Sequence, residues 1–151
     1  MKKIVTQIVL ITVMFALRLS GQSGLWNDNF EEAAVKAKTE NKYMLLNFSG
    51  SDWCSWCIRL DKEVLSQTVF QDYAKENLIL MIADFPRYKQ LSGELEEQNQ
   101  KLAEKYKIEG FPTVIILDPD KKVAGITGFQ IGGAKKYVDH IKMIIQEYEA
   151  Q

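Results

Sequence analysis

Side chains that bind metal ions are scarce in this sequence. It contains two cysteines, Cys54 and Cys57, and one histidine, His140, which lies near the far end of the chain. Structural zinc usually takes four protein ligands, so a zinc site built on the cysteine pair would lack the partners that the metal requires. We therefore predict that the protein binds no metal.

An excess of charge of one sign is also absent. The chain has 19 Lys and Arg residues against 20 Asp and Glu residues, which gives a net charge of −1 at pH 7. A nearly neutral protein is not strongly attracted to nucleic acid or to anionic membranes, and we expect no nucleic-acid partner. The chain has no internal repeat or low-complexity tract, and its 151 residues predict one domain with a single core.

The N-terminal residues have the composition of a targeting segment. Two lysines near the start are followed by a largely apolar stretch at 4–17 and then by small and polar residues. This order predicts a secretory signal peptide over residues 1–21, too short for a comfortable membrane span. An uncleaved membrane anchor is the alternative, because Arg18 and Leu19 make a poor cleavage site. Export, with the periplasm as the expected destination, would place the cysteines in an oxidising or redox-managed compartment.

The two cysteines are three positions apart, between an apolar run and a helix-like run. Thiols at this spacing can meet across the first turn of a helix, where free backbone N–H groups and the helix dipole favour the reactive thiolate. A strand that ends in Cys-X-X-Cys and opens a helix is a redox signature in an α/β chain. Cys57 shares a helix face with Leu60, so we expect Cys57 to point into the protein and Cys54 to lie at the exposed end. Cys54 is then the predicted nucleophile and Cys57 the resolving thiol.

A static structural disulfide is another interpretation of the same pair. A bridge that closes only two intervening residues removes little entropy from the unfolded chain. A protein of this size also has enough core to fold without such a bridge. Redox exchange is therefore the favoured interpretation.

The rest of the chain alternates between helical and extended patterns. Continuous apolar runs at 43–48 and 78–83 predict buried strands of the kind found at the centre of parallel sheets. The coarse order is helix, strand, helix, strand, helix, strand, strand, helix, which predicts an α/β fold. The remaining predicted elements are helices within 26–42, at 54–73 with a bend near 66–68, within 91–107 and after 133, and a hairpin of 113–117 with 123–127.

Two motifs together resemble the thioredoxin superfamily over residues 25–149. The first motif runs from Phe48 to Trp53-Cys54-Ser55-Trp56-Cys57, and the second is Gly110-Phe111-Pro112-Thr113. The resemblance implies a thioredoxin-like three-layer α/β/α domain with a central mixed four-stranded sheet. It also implies a cis peptide bond before Pro112, close to the cysteine pair, and a backbone at Phe111 that binds substrate chain as a strand would. The Ser-Asp-Trp-Cys form looks most like small exported thioredoxin-like proteins of bacteria.

One departure from the thioredoxin pattern affects proton transfer. Thioredoxins carry a buried Asp just before the Phe that matches Phe48, and this Asp assists proton transfer from the resolving cysteine. Asn47 holds that place here and cannot act as a base, so the proton would leave through water or Asp52, or the resolving step would be slower. Asp52 would oppose thiolate formation if it lay close to Cys54, whereas the helix end favours it.

These observations predict an exported thiol–disulfide oxidoreductase, with reduction as the favoured direction. It needs no organic cofactor, since electrons would come from a membrane or soluble redox partner, and we expect a monomer. Two alternatives remain open: a non-catalytic binding or holdase module, and a dedicated redox partner of one client, such as a cytochrome maturation target. Unfolded or extended protein substrates would be recognised by an apolar rim of four residues, Trp53, Trp56, Phe111 and Pro112.

Overall fold

The structure is a computed structural model that describes residues 24–151. The predicted signal peptide, residues 1–21, lies outside the described residues. The elements in chain order are β1 (Trp26–Asn27), α1 (Phe30–Glu40), β2 (Tyr43–Ser49), α2 (Ser55–Leu60), a π-helical turn (Asp61–Leu65), α3 (Thr68–Asn77), β3 (Leu78–Asp84), α4 (Gly93–Lys105), β4 (Thr113–Leu117), β5 (Val123–Thr127) and α5 (Gly133–Glu149).

The strands form one mixed sheet in the order β1-β3-β2-β4-β5. β2 lies at the centre, parallel to β3 on one side and antiparallel to β4 on the other. Because a central strand is covered on both faces, its sequence is a continuous apolar run rather than an alternating one. The end of β2 meets the start of β4, where Phe48 pairs with Thr113. This register brings the two sequence motifs to the same edge of the sheet.

Helices cover both faces of the sheet, which confirms the three-layer α/β/α class. Successive residues of β2 point to opposite faces. On one face Leu45 belongs to an apolar cluster with Phe70 of α3 and Tyr137 of α5. On the other face Phe48 belongs to a second cluster with Leu102 of α4 and buried residues of α1.

The sheet has five strands rather than the predicted four, because the lead-in to α1 forms the short edge strand β1. Trp26 and Asn27 pair in parallel with Leu80 and Met81 of β3, and the Asn27 side-chain amide donates to the Leu80 carbonyl oxygen at 2.8 Å. Two residues are too few to show an alternating pattern in a sequence. The strand forms because the backbone groups at the edge of β3 need partners.

The segment after Cys54 is divided into three pieces rather than one bent helix over 54–73. α2 ends at Leu60, the π-helical turn follows, and the chain breaks at Ser66 and Gln67 before α3, which extends to Asn77. The break falls in the predicted bend, but a 3.6-residue pattern gives no sign of the π-helical turn. No helix within residues 24–151 is long and apolar enough to cross a bilayer.

Candidate active site

Cys54 and Cys57 form a disulfide at the start of α2, with their Cα atoms 5.2 Å apart. Cys54 is the N-cap residue of α2, and its sulfur accepts the backbone N–H of Cys57 at 3.2 Å. The backbone N–H of Gly50 donates to the Cys57 sulfur at 3.4 Å. Each sulfur therefore has one backbone donor that would stabilise negative charge on it after reduction.

Both cysteines are buried, which corrects the expectation that Cys54 lies at an exposed end. Cys54 is 7% exposed and Cys57 is 4% exposed. The difference is small because the Cys54 side chain folds back over the first turn of α2 to accept the N–H of Cys57. Access to Cys54, the predicted nucleophile, is therefore restricted in the disulfide form.

The second motif lies at the start of β4, and its Phe111 ring contacts Trp53, the residue before Cys54. The peptide bond between Phe111 and Pro112 is cis. A Cβ atom added at Gly128 would lie 3.0 Å from the Pro112 carbonyl oxygen, so the chain after β5 passes close to this proline. The loop before β4 is thus enclosed between the cysteine motif and the loop that follows β5.

The aromatic side chains of the site make ring contacts in two groups. In the first group, Trp53 contacts Phe111 edge to face at 6.0 Å between ring centroids, and Phe85 stacks on Phe111 at 5.1 Å. In the second group, Trp56 packs against Phe129 at 5.4 Å. Trp56 is 52% exposed, so this second group presents apolar surface to solvent.

An arginine lies over the tryptophan of each group. The Arg87 guanidinium lies 3.7 Å from the centroid of the Trp53 ring. The Arg59 guanidinium lies 5.4 Å from the Trp56 ring and 4.9 Å from the Phe129 ring. Cations over aromatic faces hold the rings in place. Sequence reasoning missed both arginines and Phe129, because their contacts depend on the folded chain.

The Asp52 side chain is hydrogen-bonded to the loop that follows β3. Its carboxylate accepts the backbone N–H groups of Arg87 and Tyr88, both at 2.9 Å, and of Lys89 at 3.2 Å. Desolvation raises the pKa of Asp52, but these three hydrogen bonds and the Lys89 charge outweigh it and hold the pKa below its ordinary value. A carboxylate whose two oxygens both hold backbone donors is poorly placed to accept a proton from Cys57.

Asp84, to which sequence reasoning gave no function, joins the turn before Cys54 to the end of β3. Its carboxylate accepts the backbone N–H of Ser51 at 2.9 Å and the Ser51 hydroxyl at 2.6 Å. Lys89 forms an ion pair with the same carboxylate at 3.2 Å. The sequence contained a sign of this role, because Asp84 directly follows the apolar run at 78–83. In the structure Asp84 pairs with Ser49, the last residue of β2.

Asn47 lies in the middle of the sheet, paired with Ile82 of β3 and Val114 of β4. It is 4% exposed, and its side chain lines a cavity together with Cys57. The part of the chain that the structure describes contains no cluster of three or more His, Cys, Asp or Glu side chains able to hold a metal ion. The polar groups of the site are two sulfurs, a carboxamide and nearby carboxylates.

The chain is similar in sequence and fold to known proteins. Residues 30–141 match a protein-family model described as a thioredoxin-like domain. Disulfide bond reductase DsbH of Chlamydia pneumoniae is 33% identical over 119 residues, which cover 79% of this chain and 72% of that protein. A solved structure of DsbH oxidoreductase superposes with a TM-score of 0.77 at 33% identity, covering 80% of this chain and 83% of the other. Thioredoxin-related protein DsbJ of Chlamydia pneumoniae is 27% identical over 76% of this chain but only 35% of its own length.

Proposed function

This chain belongs to the thioredoxin-like domain family and is a protein-disulfide oxidoreductase, and we propose that it reduces disulfide bonds in exported proteins. The observation that carries the direction of the reaction is the burial of both sulfurs without a cationic partner. Within residues 24–151, no Lys, Arg or His side chain donates a hydrogen bond to Cys54 or Cys57, and each sulfur has a single backbone donor.

Weak stabilisation of the thiolate favours electron donation. Burial in apolar surroundings raises the pKa of a thiol and so disfavours the thiolate. Strongly oxidising disulfide oxidoreductases are, in contrast, proteins whose reduced form is stabilised. Here both cysteines are less than a tenth exposed. The disulfide is then the favoured form, and the dithiol passes its electrons on readily. The printed name of the similar Chlamydia pneumoniae protein, a disulfide bond reductase, supports the same direction.

The proposed reaction runs through a mixed disulfide. The Cys54 thiolate attacks one sulfur of the substrate disulfide, forms a bond to it and releases the other substrate sulfur as a thiolate. The Cys57 thiolate then attacks the Cys54 sulfur, closes the internal disulfide and releases the second substrate thiolate. Two electrons pass to the substrate, and a partner dithiol returns two electrons to the protein.

The substrate is proposed to be an extended polypeptide that pairs with the backbone before β4. The N–H and carbonyl of Phe111 take part in no hydrogen bond among the described residues, so both are free to pair with an added strand. The exposed Trp56 with Phe129 offers an apolar contact for the substrate's side chains. Trp53, Phe111 and Pro112 form the other wall of the proposed binding surface.

We also propose that the protein is exported and acts in the periplasm. The support is the basic start and the apolar stretch at 4–17, which have the order of a secretory signal. If the segment is not cleaved, it would anchor the protein to the membrane. In either case the Cys54–Cys57 pair would act in a compartment where protein disulfides are common.

The reduction potential of the Cys54–Cys57 pair tests the proposed direction. We expect residues 22–151, equilibrated against dithiothreitol or glutathione, to titrate near the value for thioredoxin, about −270 mV. A value near that of a strong oxidant, about −120 mV, would show that the protein installs disulfides instead. A pair that does not titrate would point to the static bridge.

A trapping variant tests the two-step exchange and separates it from the alternatives. Cys57→Ser should accumulate substrates as mixed disulfides on Cys54, and Cys54→Ser should accumulate none. Many trapped exported proteins indicate a general reductase, whereas a single trapped protein indicates a dedicated partner. Full cellular function in Cys54→Ser would support the binding or holdase module.

A further inference from the structure

A cavity of about 310 Å³ lies between the central strand β2 and the helical segment that carries Cys57. Most of its walls are apolar, but five polar groups face it: Asn47, Ser49, Ser51, Cys57 and Asp61. A single water molecule needs only about 10–15 Å³ of such space together with polar partners. The cavity is therefore large and polar enough to hold water beside the resolving thiol.

The side chain of Asn47 gives an independent sign that something polar binds in this cavity. Its Oδ1 atom is buried and accepts no hydrogen bond from any residue in 24–151. A buried acceptor without a donor is unfavourable, and a bound water in a polar cavity is the usual way in which such a group is satisfied. Asn47 is thus placed to hold a water molecule close to Cys57.

Asp61 is the carboxylate of this cavity, and the helix geometry places it one turn beyond Cys57. The Asp61 backbone N–H donates to the carbonyl oxygens of Cys57 and Ile58, at the point where α2 gives way to the π-helical turn. Residues four apart on a helix share a face, so the two side chains lie one above the other. π-helical turns within helices often occur at functional positions.

The two carboxylate oxygens of Asp61 have different surroundings. Oδ1 accepts the Ser66 hydroxyl at 3.0 Å, which fixes the side chain. Oδ2 accepts no hydrogen bond from residues 24–151, and Asp61 itself is exposed to solvent. A proton received from the cavity side can therefore pass on to bulk water.

Few other groups near Asp61 can gain or lose a proton. Cys57 and Asp61 are the titratable residues of the cavity wall. On the same π-helical turn Glu63 is paired with Arg59 at 2.6 Å, and Lys62 is exposed. From α5, Tyr137 packs against this segment, and burial raises its pKa, so that it stays neutral.

We propose that Asp61 is the proton acceptor for Cys57, through water that Asn47 positions in the cavity. The inference rests on the disulfide exchange proposed above. In the mixed-disulfide state the Cys57 thiol gives its proton through the water to the Asp61 carboxylate, which becomes a carboxylic acid. The Cys57 thiolate attacks Cys54, the substrate leaves as a thiolate that takes a proton from solvent, and Asp61 releases its proton to solvent.

The test follows the two chemical steps separately with the small disulfide 5,5′-dithiobis(2-nitrobenzoate). Reduced full-length protein releases one coloured thiolate when Cys54 attacks, and a second when Cys57 resolves the mixed disulfide. Asp61→Asn keeps an oxygen that can accept from Ser66, so the fold should be preserved. We expect its first phase to be unchanged and its second phase to be slower by roughly tenfold to a hundredfold near neutral pH.

The opposite sign would overturn the proposal. If Asp61 acted only as a nearby negative charge, its removal would lower the pKa of the Cys57 thiol, and the second phase would become faster. An unchanged second phase would equally reject Asp61 as the acceptor. Because the measured step is internal to the protein, these results do not depend on whether the protein is a reductant, which the reduction potential decides.

Two further variants complete the experiment. Glu63→Gln removes a carboxylate two residues away that does not line the cavity, and we expect both phases to keep the wild-type rates. Asn47→Asp in the Asp61→Asn protein places a carboxylate at the other end of the cavity, and the second phase should recover. If the double variant unfolds, the comparison of Asp61→Asn with Glu63→Gln still decides the question.

Discussion

At the residue scale, Asp52 shows how one side chain can organise an active-site edge through hydrogen bonds to the backbone. Its carboxylate holds three successive backbone N–H groups at 87–89, and Trp53 beside it donates its indole N–H to the Phe85 carbonyl oxygen at 2.7 Å. Both contacts tie the turn before Cys54 to the loop after β3. The position of Cys54 therefore depends on residues more than thirty positions further along the chain.

We expect Asp52→Ala to lower stability in a pH-dependent way. The folded protein holds the pKa of Asp52 below its ordinary value, so the carboxylate's contribution is complete above about pH 4 and is lost as pH falls through the folded pKa. The urea midpoint of the variant should be lower than that of the wild type at pH 7, and the two should converge in acid. Equal urea midpoints for the variant and the wild type at pH 7 would show that the Asp52 hydrogen bonds do not stabilise the fold.

A matched aspartate provides the control for this experiment. Asp72 is exposed, and its cation contact is Lys75 at 3.9 Å. Such a surface ion pair contributes little to stability. Asp72→Ala should therefore keep the urea midpoint near the wild-type value both at pH 7 and in acid.

At the element scale, the start of α2 carries two tryptophans with different surroundings. Trp53 is held from three sides, by its hydrogen bond to Phe85, by the ring of Phe111 and by Arg87. Trp56 is 52% exposed and packs mainly on Phe129. One ring therefore belongs to the architecture of the site, and the other belongs to the surface on which we propose that a substrate binds.

The paired variants Trp53→Ala and Trp56→Ala should separate these two contributions. We expect Trp53→Ala to lower the free energy of unfolding by about 2 kcal/mol, through lost burial and an unpaired Phe85 carbonyl. Trp56→Ala should change it by less than about 0.5 kcal/mol, as surface substitutions usually do. Urea denaturation gives both values. The rate of insulin reduction should fall in Trp56→Ala, whereas the rate of its reaction with the small disulfide should stay the same. Equal losses of stability in the two variants would contradict the assignment of Trp53 to the architecture and Trp56 to the surface.

The elements that the sequence predicted are those with a long, regular pattern. β2 and β3 are continuous apolar runs, and the cysteine and proline motifs meet because β2 and β4 are neighbours. β1 was missed because two residues carry no periodicity. The π-helical turn was missed because one extra residue in a turn leaves no mark in an amphipathic pattern.

The contacts that shape the site were harder to predict than the site itself. The Asp52 bonds join positions 35 to 37 apart in the chain, and nothing in either segment alone indicates the other. The prediction that Cys54 is exposed was wrong because the Cys54 side chain caps α2 and turns back over its own helix. Tertiary contacts of this kind depend on how the loops close after the sheet has formed.

At the scale of the whole molecule, the described chain begins at the end of the sheet opposite the disulfide. Gly24 lies with Lys42 and Lys75 in a shallow pocket where β2 and β3 begin. Cys54 follows the other end of β2, where Ser49 pairs with Asp84. A segment that precedes Gly24 therefore joins the fold at the end where β2 and β3 begin, whereas Cys54 follows the other end of β2.

This arrangement predicts that residues 1–21 do not influence the redox chemistry. The full chain in detergent and a chain beginning at residue 22 should have the same reduction potential and the same two phases with the small disulfide. A chain beginning at Asp28 is the informative contrast, because it loses β1 and with it the Trp26 side chain that lines the Cys57 cavity. We expect this shorter chain to be less stable and its second phase to change, since the cavity is opened. A shift in the reduction potential of the Cys54–Cys57 pair when only residues 1–21 are removed would contradict this prediction. It would show that the N-terminal segment influences the disulfide.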